Sequence, residues 1–486
     1  MFASFVFEKS SAKYVEKLLL IDTDNLESKT GFSDYFAAQG FQIIRYENDL
    51  LFRVKHDDAI YGDGKCAVIV AAGVYIPYDI RQRFTCFDVT LAALFPKLNA
   101  TAIKEASRMN YDLLSLAYQS NFTDLHMRPL TQQFIQTKVY GKPNIEKYLQ
   151  ARLIEMDGIA AAAKTYKDWC RVASIKADID TLATEFDIPA GTDHVHEQFI
   201  PWVLSDFGKL SSKIDRQSPV LVSKAMEYMH DNSEKFAIVV MDGMSEFDWR
   251  ILSSGFDRMR YEKSDVFAMI PTTTSISRQC LLSNKYPSQL MEPWKQSKEK
   301  MEFTNCAMEL GFIAGQIGYE RGYDAEFGSS IRCAAVIINE VDDLVHGQGQ
   351  GRLGMFNDVS VMAKQAKLVK LVRRLLDAGF DVYITADHGN TPCIGDGKLM
   401  GTGVETETKS RRMVVLKDFA DKQPILDRYD MIDYPKYYLD KSFDYLICAA
   451  GHSLDAKGDE VMSHGGITVD EVIVPFITIK AGENNG

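Results

Sequence analysis

A chain of 486 residues with a formal net charge of -12, 46% hydrophobic and 25% charged, is globular and too long for one ordinary core; two or three domains are expected. The acidic balance argues against a dedicated nucleic-acid-binding surface as the main function, so an anionic substrate must be drawn in by bound metal or a few arginines. No run of about 18 apolar residues offers a membrane span. Met1-Phe2-Ala3-Ser4-Phe5 is too short for a secretory leader, since Glu8 and Lys9 follow. The cysteines are scattered without a Cys-x-x-Cys and read as reduced thiols of a cytoplasmic protein.

Residues 1–100 read as a small N-terminal α/β domain. Leu18 to Ile21, Phe41 to Tyr46 and Ala67 to Ala72 are short apolar strands bounded by Gly or charged residues, and a helix is expected after Tyr75-Ile76-Pro77. From 101 to 232 strand signals disappear and apolar residues recur at helical spacing, as in Leu113, Leu114, Leu116 and Ala117, or Ile145, Tyr148, Leu149 and Leu153. This predicts a helical middle domain. Its His194-x-His196 pair has the spacing to chelate but no convincing third ligand beside it.

Residues 233–486 read differently. Phe236 to Met241 is a continuous apolar run of the buried parallel-strand type, and similar runs recur at Ala334 to Ile338, Val382 to Thr385, Met413 to Leu416 and Val472 to Ile479. A helix over Val361 to Leu376 lies between, stopped by Gly379. Strand and helix in alternation predict an α/β domain with a mostly parallel sheet flanked by helices.

Polar chemistry stands at the ends of these strands, where open α/β sheets bind ligands. Asp242-Gly243 follows the first. Pro271-Thr272-Thr273-Thr274-Ser275-Ile276-Ser277-Arg278 is a hydroxyl-rich turn leading into a helix. Asp342 and His346, four apart, share a face of a helical turn. Asp387-His388-Gly389 ends another strand, and Ser463-His464-Gly465-Gly466 precedes the last. Carboxylate and imidazole suit zinc. Two sites of three protein ligands each leave positions open for substrate oxygens, an arrangement suited to in-line phosphoryl transfer. A threonine at a helix N-terminus faces backbone N–H groups able to bind phosphate, and Arg278 can add a bidentate contact. Each feature also has an ordinary explanation: an exposed i,i+4 pair, an N-cap cluster, a loop histidine. Their joint occurrence, mostly at successive strand ends, favours function.

In this order and wording the segment from about Phe236 to Lys480 resembles the alkaline phosphatase superfamily, and within it the PglZ-domain proteins. Asp242 with Pro-Thr-x-Thr at 271–274, Thr-Ala-Asp-His-Gly at 385–389 and Ser-His-Gly-Gly-Ile-Thr-Val-Asp-Glu-Val-Ile-Val-Pro at 463–475 carry the resemblance. It implies an alkaline-phosphatase-like fold, with Thr274 as metal-activated nucleophile. It also implies one metal site of Asp242, Asp387 and His388, which Thr274 also touches, and a second of Asp342, His346 and His464. Two divalent cations are implied, zinc first and manganese as substitute, with Arg278 as substrate contact; Arg411 and Arg412 are weaker candidates, and a solvated basic pair is their favoured reading. Thr272 and Thr273 adjoin Thr274, and a shift of one residue would move the nucleophile. Where the nucleotide pyrophosphatase branch has Thr-Phe-Pro-Asn, this chain has Thr274-Ser275-Ile276-Ser277, so Ser277 stands where an asparagine holds a phosphate oxygen.

The function this resemblance implies is a metal-dependent phosphoesterase, a phosphodiesterase rather than a monoesterase, acting on nucleotide or oligonucleotide phosphodiesters. The competing expectation is a subunit or signalling module of a phage-defence system of the BREX kind, working through partner proteins. The segment 346–354 lacks the Lys-Ser/Thr ending of a nucleotide phosphate loop. It reads as a mobile loop beside the site, with Arg352 as a further candidate contact.

Overall fold

The computed structural model describes residues 1–257, 259–399, 410–417 and 421–484. The chain forms two compact units, Met1–Ala151 and Arg152–Gly486. The boundary between the two units falls inside the helix Lys142–Ala162.

In the first unit four strands, β1 (Lys17–Asp22), β2 (Gln42–Tyr46), β3 (Cys66–Ala71) and β4 (Thr85–Asp88), form a parallel sheet in the order β2-β3-β1-β4. The apolar runs of β1 and β3 supply its centre, and Val68, Val70, Leu19, Ile44 and Phe52 pack on one face. The edge strand β4 was not anticipated; Thr85-Cys86-Phe87-Asp88 is too short and polar to signal one.

The second unit is built on six strands: β5 (Phe236–Met241), β6 (Glu262–Phe267), β7 (Ile317–Arg321), β8 (Cys333–Ile338), β9 (Asp381–Thr385) and, after a set of smaller strands, Ile473–Ile479. The smaller strands are β10 (Thr391–Gly395), β11 (Met413–Lys417), β12 (Met431–Asp433), β13 (Phe443–Cys448), β14 (His452–Ser453) and β15 (Glu460–Ser463). With Ile473–Ile479 as β16, the large sheet runs β6-β16-β9-β5-β8-β7. β9, β5, β8 and β7 are parallel, and β16 is antiparallel to both its neighbours. β5 and β8 are buried along their whole length, as a sheet covered on both faces requires.

Two expectations change here. The run Met413 to Leu416 is not in the large sheet; it pairs with β13 in a three-stranded antiparallel sheet, β11-β13-β12. An apolar run reports burial, not which sheet buries it. The helix over Val361 to Leu376 is two helices, Gly351–Gln365 and Lys367–Asp377, broken at Ala366, whose φ is 53°. Among the described residues no helix is long and apolar enough to cross a membrane.

Candidate active site

The parallel strands deliver polar residues to one edge. Asp242 follows β5, the helix Glu340–Gly347 follows β8, and Asp387-His388 follows β9. β16 runs the other way, so the segment entering it, with His464, starts from that same edge. Gly243 allows the turn after Asp242 with φ at 73°.

Among the described residues, three groups of ligand-type side chains have their atoms within 4.8 Å of one another: Asp242, Asp387 and His388; Asp342, His346 and His464; and Asp193, His196 and Asp470. In the first, His388 Nε2 lies 3.9 Å from Asp242 Oδ1 and 3.9 Å from Asp387 Oδ2. In the second, Asp342 Oδ2 lies 3.4 Å from His346 Nε2, and Asp342 Oδ1 lies 3.5 Å from His464 Nε2. The rings of His388 and His464 stack at 4.2 Å and join the two groups. Each of these two histidines has Nδ1 beside a carbonyl, Gly389 O at 3.1 Å and Thr272 O at 3.0 Å. A carbonyl only accepts, so the proton sits on Nδ1 and the lone pair of Nε2 points into the site.

Thr274 opens the helix Thr274–Ser283. Its Oγ1 is 3.0 Å from His388 Nε2 and 3.4 Å from Asp242 Oδ1. The neighbouring threonines are placed differently. Thr272 Oγ1 donates to Gly466 O at 2.8 Å and accepts from Gly465 N at 3.0 Å. Thr273 is buried, whereas Thr274 is partly accessible. Ser277 is also committed to structure: its Oγ donates to the carbonyl of Asp387 and accepts from Met269 N.

Burial and the neighbouring Asp387 push the Asp242 carboxyl up to about 8, and burial pushes Asp387 up to about 6. Burial opposes ionisation of Asp342 too, but the hydrogen bond to His346 and the nearby His464 hold it well below the usual carboxylate range. Burial and His388 bring His464 down to about 4, so it is a neutral ring near pH 7. Asp387 Oδ2 and Asp342 Oδ1 are buried and accept no hydrogen bond among the described residues. Two orphaned carboxylate oxygens, one in each group, fit cation ligation, because a buried acceptor is otherwise paired.

The third group is already filled by protein cations. Lys176 Nζ lies 2.7 Å from Asp180, 2.9 Å from Asp470 and 3.4 Å from Asp193. Arg352 adds contacts to Asp193 at 3.0 Å and Asp180 at 3.4 Å. Arg352 therefore starts the helix Gly351–Gln365 and faces carboxylates, rather than standing in a loop beside the site. The pair His194 and His196 is split: His194 bonds Asp157 at 2.8 Å, while His196 is buried and its Nδ1 accepts from Val469 N.

Arg278 is brought to the site but is fully buried, with its guanidinium on Asp242 and Glu299. Arg412 is buried as well, on Glu471 Oε1 at 2.9 Å and on the carbonyls of His452 and Ala449; it is not a solvated residue. Arg411 is half-exposed and pairs with Asp455 at 2.8 Å. Glu299 is the site-linked residue that the sequence did not single out. It lies in a stretch without motif, and its only signal is three-dimensional.

A mostly parallel sheet with acidic and imidazole groups at its C-terminal edge, around a hydroxyl at a helix N-terminus, is an arrangement suited to phosphoryl transfer. The family model of the BREX system PglZ alkaline phosphatase-like domain matches residues 221–479, more than half of the chain. The chain belongs to the PglZ family. A comparison with curated proteins gives no match. Among solved structures, murine ectonucleotide pyrophosphatase / phosphodiesterase 5 is similar at 13% identity and a TM-score of 0.36, over 50% of this chain and 88% of that one. The human protein of the same name is similar at 14% identity and a TM-score of 0.38, over 51% of this chain and 90% of that one.

Proposed function

We propose that this protein is a metal-dependent phosphoesterase that cleaves nucleotide or oligonucleotide phosphodiesters with Thr274 as nucleophile. The observation that carries the reading is the position of Thr274 Oγ1, 3.0 Å from His388 Nε2 and 3.4 Å from Asp242 Oδ1, beside two joined groups of cation ligands. The accessibility of Thr274, against the engaged Thr272 and the buried Thr273, supports it over its neighbours.

Asp242, Asp387 and His388 would hold one divalent cation, with Thr274 beside it, and Asp342, His346 and His464 a second. Zinc is favoured by the imidazole-carboxylate ligand sets, and manganese would substitute. When bound, such cations neutralise phosphate oxygens and lower the pKa of an attacking oxygen. The chain's own part is to hold Thr274 at the first turn of its helix, where free backbone N–H groups favour an anion. Thr274 Oγ1 bonds to phosphorus as the bond to the leaving oxygen breaks; the threonine gives up its proton and the leaving oxygen gains one. Water then cleaves the phosphothreonine, restoring the hydroxyl and releasing a phosphomonoester.

Metal content by mass spectrometry, paired with hydrolysis of bis-p-nitrophenyl phosphate and p-nitrophenyl phosphate, tests the reading. Two zincs per chain and faster cleavage of the diester support it; a chain that takes up no zinc overturns it. The family's BREX description favours a second role beside the first, in which the phosphoesterase acts with other phage-defence proteins. Eight unpaired cysteines, six of them buried, favour a reducing, cytoplasmic setting.

A further inference from the structure

We propose that Arg278 is a positioning residue that fixes the orientation of Asp242, as one link of a buried charge relay that runs from the cation site to the edge strand β7. The inference rests on the two-cation reading above.

Asp242 divides its two oxygens. Oδ1 faces Thr274 and His388, at 3.4 and 3.9 Å. Oδ2 accepts a hydrogen bond from Arg278 Nη1. At its other end the guanidinium donates from Nε to Glu299 Oε2 at 2.6 Å. Glu299 Oε1 in turn accepts from Tyr319 Oη at 2.5 Å and from Arg321 Nη2, both on β7. The side chains of Asp242, Arg278 and Glu299 are at most 2% exposed, while Arg321 is 48% exposed. Charge thus alternates from the site to the surface: carboxylate, guanidinium, carboxylate, guanidinium.

Nη2 of Arg278 is buried and has no hydrogen-bond partner among the described residues, but Nε and Nη1 are both bonded to carboxylates and hold the guanidinium plane in place. A guanidinium has the planar fork needed to bridge two carboxylates, which an ammonium lacks. A ligand carboxylate with one oxygen tied behind it presents the other in a fixed direction, and such outer partners typically govern metal affinity by about 10- to 100-fold. Arg278 Nη1 also lies 3.9 Å from Asp387 Oδ2, so the same group neighbours two ligands of one site and none of the other. The relay should therefore act on one cation selectively.

The test is zinc titration of the full chain against a competing chelator, for wild type, Arg278→Lys and Glu299→Gln. Melting curves and diester kinetics are recorded on the same samples. The expected result is one zinc held as in wild type, at Asp342, His346 and His464. The other should be weakened at least 10-fold in both variants, with kcat lowered and KM for the diester unchanged. Glu299→Gln touches no ligand, so its effect on zinc can come only through the relay. Tyr319→Phe removes one hydrogen bond at the far end and no charge; should the charged variants fail to fold, it must weaken the same zinc about threefold. Both zincs bound as tightly as in wild type in the folded variants, with or without a rise in KM, overturns the relay; a rise would make Arg278 a substrate contact. Fewer than two zincs in wild type overturns the two-cation reading instead.

Discussion

The carbonyl oxygen of Asp470 stands 1.9 Å from where a side-chain carbon on Gly389 would begin. Gly389 N also donates to Glu471 O at 2.9 Å. The turn that carries Asp387 and His388 is thus seated directly on the segment leading into β16, and only a residue without a side chain fits. Gly389→Ala must push the two backbones apart. It should lower diester hydrolysis at least 100-fold and release zinc from the Asp387 and His388 site, as read by activity and metal content together.

Thr274→Ala should abolish diester hydrolysis, by about 1000-fold or more, while zinc content and melting temperature stay close to wild type. Thr274→Ser keeps an oxygen at the same place and should retain measurable turnover. Full activity in the alanine variant would remove Thr274 from the reaction.

Arg352 and Lys176 together balance Asp180, Asp193 and Asp470. Arg352→Met leaves three carboxylates around one lysine. Asp193 is exposed, so the cost of removing one member of the network lies between that of a surface pair, about 1 kcal/mol, and that of a fully buried one, about 3 kcal/mol or more. Urea denaturation should show a loss in that range. Because Asp470 also carries the Gly389 turn, zinc affinity should fall with it.

Asp248 gives a pH signature away from the proposed ligands. Burial pushes its carboxyl from 3.8 up to about 6, despite hydrogen bonds from Ser245 and Asn390. Its Oδ1 is buried and accepts no hydrogen bond among the described residues, which is where a proton would sit. The folded protein holds this proton more tightly than the unfolded chain, so this group's contribution to stability is lost as pH rises from about 4 to about 6. Asp248→Asn removes the titration. Its melting temperature should fall less than wild type's over that interval, by about 3 °C.

The interior strands of the second unit could be read directly, because β5, β8 and β9 are buried on both faces and so almost wholly apolar. β6 and β7 could not, since Glu262-Lys263-Ser264-Asp265 and Glu320-Arg321 carry the charges edge strands use against mispairing. The break at Ala366 left no trace either; alanine is a strong helix former, and only packing can force it to a positive φ. The candidate cation ligands were visible as polar residues abruptly ending apolar runs. Glu299 was not, because its part depends on facing Arg278 across two helices, and no spacing along the chain encodes that. The same blindness hid the carboxylates that face Arg278 and Arg352. A buried arginine paired with carboxylates reads in sequence like any other cation.

β16 follows every other strand of the large sheet in the chain, yet it lies inside the sheet, between β6 and β9. Until residues 473–479 leave the ribosome, β6 has no neighbour in that sheet, and His464 has been made only just before. Synthesis and assembly of the edge that carries the candidate site are therefore separated in time. A nascent chain exposes apolar strands for most of its translation, and it gains both its closed sheet and its full ligand set nearly at once. A premature stop anywhere ahead of β16 would yield a sticky, incomplete sheet rather than a smaller folded domain.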